Sequence, residues 1–253
     1  MTLAAKLAAH DSNRASGSWL PRRLGAVALA LAATLTQPRL GAAESWPDAL
    51  AKMSLHTTVS ELNRTNCVAI MLNAFESNHI VKGLVFMPGA TDEFYLFRRG
   101  KAELSGSSPT LLDAIRALTN QTNIRASFRN PLLLLHTDED PLDPDEVVQD
   151  QKTAGRLQST SFLPHVICND RDWDYLQPLL KHSLGVALRP WRYSTDSWHF
   201  YRHSFAACNL NGLEALEAAA LAGKSKFTIR HGEVVFEVDP RVRAKPRFDV
   251  HLH

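Results

Sequence analysis

Two stretches of the chain hold side chains whose types and spacing could do chemistry. The first, His136-Thr137-Asp138-Glu139-Asp140, follows directly on the apolar run Leu132 to Leu135. Open α/β sheets place their sites at the carboxyl ends of strands. An imidazole beside clustered carboxylates is also a donor set for a divalent metal that would lower the pKa of a bound water. The same acids equally fit a solvated turn, and the calcium-loop pattern is not met, because no glycine stands at the required turn. The second stretch holds His165, Cys168, Asp170, Asp172 and Asp174. A thiolate activated by an imidazole is a nucleophile. His165 and Cys168 lie three apart, however, so in an extended strand they point to opposite faces. A dyad at Cys168 therefore needs a histidine from elsewhere, such as His199 or His203; otherwise the thiol is a core side chain beside a helix cap.

A third group is suited to binding. Arg98 and Arg202 each end an aromatic run, one holding Tyr95 and Phe97, the other His199 and Tyr201. An arginine beside aromatics on a strand face can grip a carboxylate, a glycan or a peptide terminus. The plainer alternative is a strand with one face in the core and arginine at its wet end. The chain has no Gly-rich phosphate loop, no Gly-x-Ser-x-Gly elbow and no paired Cys-x-x-Cys, and nothing points to a cofactor. Asn63-Arg64-Thr65 and Asn120-Gln121-Thr122 fit the glycosylation sequon. The three cysteines, Cys67, Cys168 and Cys208, cannot all pair within one chain. Either Cys168 and Cys208 form one bridge, or all three are buried thiols acting as small hydrophobes.

The elements that must position these groups recur along the chain. Thr91-Asp92 followed by an apolar run and Arg98 is written again as Thr195-Asp196 followed by a run ending in Arg202. Gly83 to Pro88 recurs as Gly185 to Pro190, glycine and proline bracketing both strands. Leu112-Asp113-Ala114-Ile115 recurs as Leu213-Glu214-Ala215-Leu216, each inside a helix that leads to a strand, a polar turn and an apolar strand. The reading is α+β, with two tandem β-α-β-β-α-β(-β) units over 54–136 and 161–239. An acidic connector, 137–160, separates them and a basic tail, 240–253, follows.

Within the first unit the pattern predicts a strand over 55–62, a helix through Val68, Met71, Leu72 and Phe75, and a strand over 80–87. A longer strand over 93–104 follows, then a helix capped by Ser108. Trp46-Pro47-Asp48 reads as a turn. The connector reads as solvated, with one short helix around 145–152. In the second unit Pro178 predicts a late start or a kink in the helix over 173–182. Asn211 with Glu214 has capping-box spacing, and His231-Gly232 turns a closing hairpin.

Composition and charge bound the function. The chain of 253 residues is 45% hydrophobic and 21% charged, ordinary for folded protein. Of its net charge of +2, the first 43 residues carry five bases and one acid, leaving 23 bases against 25 acids. That balance gives no basic face for nucleic acid. Arg22-Arg23, the thirteen-residue apolar run Leu24 to Thr36 and the small residues Gly41-Ala42-Ala43 predict a cleavable export signal ending at Ala43. The run is shorter than the roughly 18 apolar residues of a spanning helix, so no permanent membrane span is expected. The alternative is an organellar transit peptide, because Met1 to Ser18 is rich in Ala, Ser and Arg.

The run Thr110-Leu111-Leu112-Asp113-Ala114-Ile115-Arg116-Ala117-Leu118 through Leu135, and its counterpart from Asn211 through Val238, resembles the short N-terminal domain shared by secretins and TonB-dependent transducers. The likeness covers about two thirds of the chain by pattern. It implies a small envelope module that docks partners without catalytic residues. The chain departs from that family in having no barrel or pore sequence after the modules. The expectation is an exported, non-catalytic protein that binds an envelope protein or ligand. The alternatives are a metal- or cysteine-dependent hydrolase with its site between the units, and an assembly factor that docks through Arg241 to His253.

Overall fold

The computed structural model describes residues 44–63, 65–76, 78–87, 101–137, 140, 142, 146–162, 164–189 and 202–238. Among them are six helices and eleven strands. The fold class is α+β. The predicted targeting segment, the basic tail and both Thr-Asp aromatic runs, apart from Arg202, lie outside the described residues.

The first half runs α1 (Trp46–Leu50), β1 (Glu61–Asn63), α2 (Cys67–Ala74), β2 (Gly83–Phe86), β3 (Lys101–Glu103), α3 (Leu111–Gln121), β4 (Arg125–Arg129) and β5 (Leu132–His136). After β6 (Glu146–Val148) the second half runs α4 (Gln151–Ser159), β7 (Val166–Arg171), α5 (Trp173–Leu184), β8 (Ala187–Arg189), β9 (His203–Ala207), α6 (Gly212–Ala222), β10 (Ser225–Arg230) and β11 (Glu233–Val238).

The two halves pair their strands in the same senses. β1 pairs antiparallel with β3, and β7 with β9. β2 pairs parallel with β5, and β8 with β11. β4–β5 and β10–β11 are antiparallel hairpins. The agreement extends to isolated bridges: Ser54 meets the helix cap Thr110, and Ser161 meets the helix cap Asn211. Leu55 N–H donates to Pro109 O as Phe162 N–H donates to Leu210 O.

The halves are joined through one sheet. β2 pairs antiparallel with β9, giving a five-stranded sheet in the order β4-β5-β2-β9-β7. Strand side chains alternate between faces, and the two faces of this sheet carry two different cores. Leu84, Phe86, Leu133, Leu135 and Ala206 pack with α1, α2, α3 and the β1–β3 pair. Val85, Leu132, Leu134, Phe205 and Ala207 pack with α4, α5, α6 and the sheet β6-β10-β11-β8. Every residue of β2, β5 and β9 is buried, as strands covered on both faces require.

Several local expectations need correction. Trp46 to Leu50 is a helix rather than a turn, because the Asp48 carboxylate accepts hydrogen bonds from the Ser45 N–H and hydroxyl and so closes the first turn. The cap of α3 is Thr110, not Ser108; the Asp113 N–H donates to its hydroxyl and Asp113 in turn accepts from the Thr110 N–H. The connector is not simply solvated. β6 adds parallel to β10, and α4 buries Ala154 and Leu157 in the second core. Asp150 caps α4 and also accepts from the Gly232 N–H; these hydrogen bonds, those to Thr153 first, hold its carboxyl down at about 2. Finally, α5 starts on the Asp172 cap and runs through Pro178 to Leu184.

Candidate functional site

The polar groups at the end of β5 form a chain that crosses between the halves. In the β4–β5 hairpin Ser127 stands opposite Leu134 and Arg125 opposite His136, so Ser127 and His136 are diagonal neighbours on one face. The Ser127 hydroxyl lies 2.8 Å from His136 Nε2, and His136 Nδ1 lies 2.7 Å from the Thr137 carbonyl. A carbonyl only accepts, so Nδ1 carries a proton; in the neutral ring Nε2 is then the acceptor and Ser127 donates to it. Thr137 donates from its N–H and its hydroxyl to one oxygen of Asp140, at 2.7 and 2.9 Å. The other Asp140 oxygen pairs with Lys224 Nζ at 3.2 Å, and both side chains of this ion pair are largely shielded from water. Lys224 follows the C-cap of α6 with a positive φ of 50°, which aims it back at the first half.

Of the predicted metal donors, His136 is buried and fully engaged in this chain, while Asp138 and Glu139 lie outside the described residues. Among the described residues no group of three His, Cys, Asp or Glu side chains could hold a metal ion. The structure adds Ser127, Thr137 and Lys224. For Ser127 the signal in the sequence is the hairpin turn at Asn130-Pro131, which fixes the diagonal that joins it to His136, whereas nothing local marks Lys224. A serine hydroxyl donating to an oriented imidazole is two thirds of a nucleophile–base arrangement. The third position is a carbonyl, which orients the ring but brings no full negative charge to an imidazolium.

Cys168 is placed among the side chains of the second core. It is fully buried, and burial pushes its thiol up to about 12, against a smaller opposing pull from Arg171. At neutral pH it stays protonated. His165 is exposed just before β7 begins. Cys67 is pushed up to about 12 by the same burial. A Cys168–Cys208 bridge is not formed, and all three cysteines are buried thiols. Cys168 belongs to the core on one face of the five-stranded sheet and Cys208 to the core on the other, so the sheet itself keeps them apart.

Of the aromatic-arginine candidates, Tyr95, Arg98 and Tyr201 lie outside the described residues and Arg202 is half-buried. Arg202 donates to the Asp170 carbonyl at 3.3 Å and faces the carboxylates of Asp170 at 3.9 Å and Asp172 at 3.7 Å. Asp170 has a φ of +51° at the register shift between β7 and β9, and this bulge turns its carboxylate toward Arg202. Beside it the Arg171 guanidinium lies over the exposed Tyr175 ring, 4.8 Å from its centroid. The end of β7 is therefore an accessible patch of two arginines, two aspartates and a tyrosine.

His203, which sequence reasoning offered only as a distant partner for Cys168, is buried at the start of β9. Its Nδ1 reaches the Arg171 carbonyl at 3.3 Å, its ring meets Trp173 at 6.0 Å, and its buried Nε2 has no hydrogen-bond partner. Desolvation lowers its pKa to about 4, so the ring is neutral at pH 7. No family model matches the chain, and searches of curated proteins and of solved structures likewise give no match.

Proposed function

We propose that the chain is an exported, non-catalytic protein of the cell envelope that binds a protein or ligand partner through two copies of one α/β module. The observation that carries this reading is the recurrence of strand pairing in the two halves, down to the bridges at Thr110 and Asn211. The protonated thiol of Cys168 and the internally engaged His136 also favour binding over catalysis. Among the described residues no helix is long and apolar enough to cross a membrane.

The binding surface in this reading is the patch at the end of β7. Arg202 already holds carboxylates of its own chain, so a partner carboxylate exchanges one ion pair for another and releases a half-exposed aspartate to water. A pull-down from envelope extract tests it, with Arg202→Glu as the control bait. Recovery of a partner by the natural chain should fall about tenfold or more with the variant, the size expected for a charge-reversed contact. Equal recovery by both baits sinks the assignment of the patch. Recovery lost only on deleting 240–253 assigns docking to the tail instead.

One observation favours a second reading, a hydrolase: the 2.8 Å approach of the Ser127 hydroxyl to His136 Nε2. Here Ser127 is the nucleophile and His136 the base. A fluorophosphonate probe decides it. The hydrolase reading expects covalent labelling that is lost in Ser127→Ala and in His136→Gln; a chain left unlabelled excludes it.

A further inference from the structure

Inside the molecule, β2 and β9 meet edge to edge, from Gly83 opposite Ala207 to Phe86 opposite Ser204. The matched pairings make β8 the counterpart of β2 and β3 the counterpart of β9. Leu188 stands three residues after Gly185 as Phe86 stands three after Gly83. Glu103 stands seven before the cap Thr110 as Ser204 stands seven before the cap Asn211. Leu188 and Glu103 thus correspond to the pair Phe86 and Ser204 that closes the internal junction.

Among the described residues no strand lies on the outer side of β8 or of β3. At each place a glutamine amide sits instead. Gln121, the last residue of α3, accepts from the Glu103 N–H through Oε1 and donates to the Glu103 carbonyl through Nε2, both at 2.9 Å. A primary amide that satisfies both backbone groups of one residue does what a neighbouring strand would do. At the edge of β8, Gln177 of α5 donates from Nε2 to the Leu188 carbonyl at 3.3 Å. The counterparts of the two backbone positions that meet inside the chain are thus answered, at two sheet edges, by side-chain amides.

We infer that the outer edges of β8 and β3 are complementary docking edges for a second copy of this chain, which adds head to tail by repeating the β2–β9 pairing while Gln121 and Gln177 swing aside. The hydrogen bonds that the glutamines make to Glu103 and Leu188 are given up for those of the strand pairing, so the glutamines act as caps that weaken association without forbidding it. Because the two surfaces differ, the contact is heterologous and leaves one free edge at each end of the assembly, so copies add in a row. The inference depends on the strand pairing alone. It holds or fails independently of any envelope partner and of export.

Sedimentation velocity of the full chain over a concentration series tests it. Removing the caps with Gln121→Ala and Gln177→Ala should tighten self-association about tenfold, since hydrogen bonds to be displaced are gone. Adding Leu188→Pro or Glu103→Pro to that background blocks one edge, so each blocked chain alone is monomeric while an equimolar mixture of the two forms a dimer and stops there. Independently of any proline, chains carrying E103C and L188C should form a mixed disulfide when combined. A double glutamine variant that sediments as the natural chain does, association surviving in a chain with one edge blocked, or no mixed disulfide would each overturn the inference.

Discussion

Phe205→Ala is expected to lower folding stability by about 4 kcal/mol, the range for truncating a buried aromatic, and to do so for both halves at once. Phe205 is fully buried in β9, opposite Val85 of β2 on one side and Cys168 of β7 on the other. Its ring lies in the core shared by α4, α5 and α6. The alanine leaves a cavity on the sheet face between the side chains of Val85 and Cys168, and strands fixed by their hydrogen bonds cannot close in to fill it. The site also lies on the strand through which the halves meet, so destabilisation has no boundary at which to stop. Two reporters are available: Trp46, stacked on Phe128 in the first half, and Trp173, edge-on to Phe236 in the second. With fluorotryptophan at both places, urea unfolding should give one midpoint for the two signals in the natural chain, and a lower but still common midpoint in the variant. A first-half signal that keeps its natural midpoint while the second moves would show the halves to be independent.

Acid should destabilise the protein through His203 before it touches most carboxylates. Burial lowers the folded pKa from 6.5 to about 4, against a weaker opposing effect of the Arg171 carbonyl and the Asp172 charge. Between these values the unfolded chain binds a proton that the folded chain refuses, so stability falls as pH drops from 6.5 toward 4 and the loss is complete below 4. A difference of this size corresponds to about 3 kcal/mol. Asp150 acts in a lower window, because its folded pKa is held below the ordinary 3.8 and its contribution is lost between 3.8 and about 2. The two windows do not overlap. Unfolding free energy measured every half unit of pH should therefore slope between 4 and 6.5 in the natural chain and be nearly flat there in His203→Leu. An unchanged slope in the variant removes His203 as the cause. Space around the ring is also constrained: a Cβ at Gly223 would come within 2.4 Å of Nε2, so the imidazole has no room to turn toward water and accept the proton at less cost.

Much of this architecture was legible in local signals. The hairpins at Asn130-Pro131 and His231-Gly232 follow from turn chemistry, and Asn211 with Glu214 forms the reciprocal cap that its spacing implied. The Gly83 and Gly185 runs both became strands with a parallel partner. What the sequence hid is long-range. α4 reads as part of an acidic connector because only Ala154 and Leu157 on one short face are apolar and buried, and their burial depends on a core assembled by later residues. Pro178 lowers helix propensity, yet Leu176, Leu180 and Leu184 anchor α5 on both sides of it, and packing overrides the local preference. The site residues divide the same way. His136 was singled out by its place at a strand end, but its partner Ser127 depends on a diagonal register. Lys224 depends on the docking of α6, and the pairing of Gln121 with Glu103 depends on how α3 lies against β3.

The pairing of β2 with β9 also bears on how the chain is made. Gly83 to Phe86 form a fully buried strand whose one neighbour, β5, arrives about fifty residues later and whose other neighbour, β9, about a hundred and twenty later. During synthesis the first half can assemble most of its core but must present an apolar strand with an open edge until β9, midway through the second half, emerges. Contacts this distant in sequence slow folding and leave a sticky intermediate. For this protein the vulnerable moment is therefore late in elongation, and a nascent chain stalled before residue 203 should be the form that most needs a chaperone.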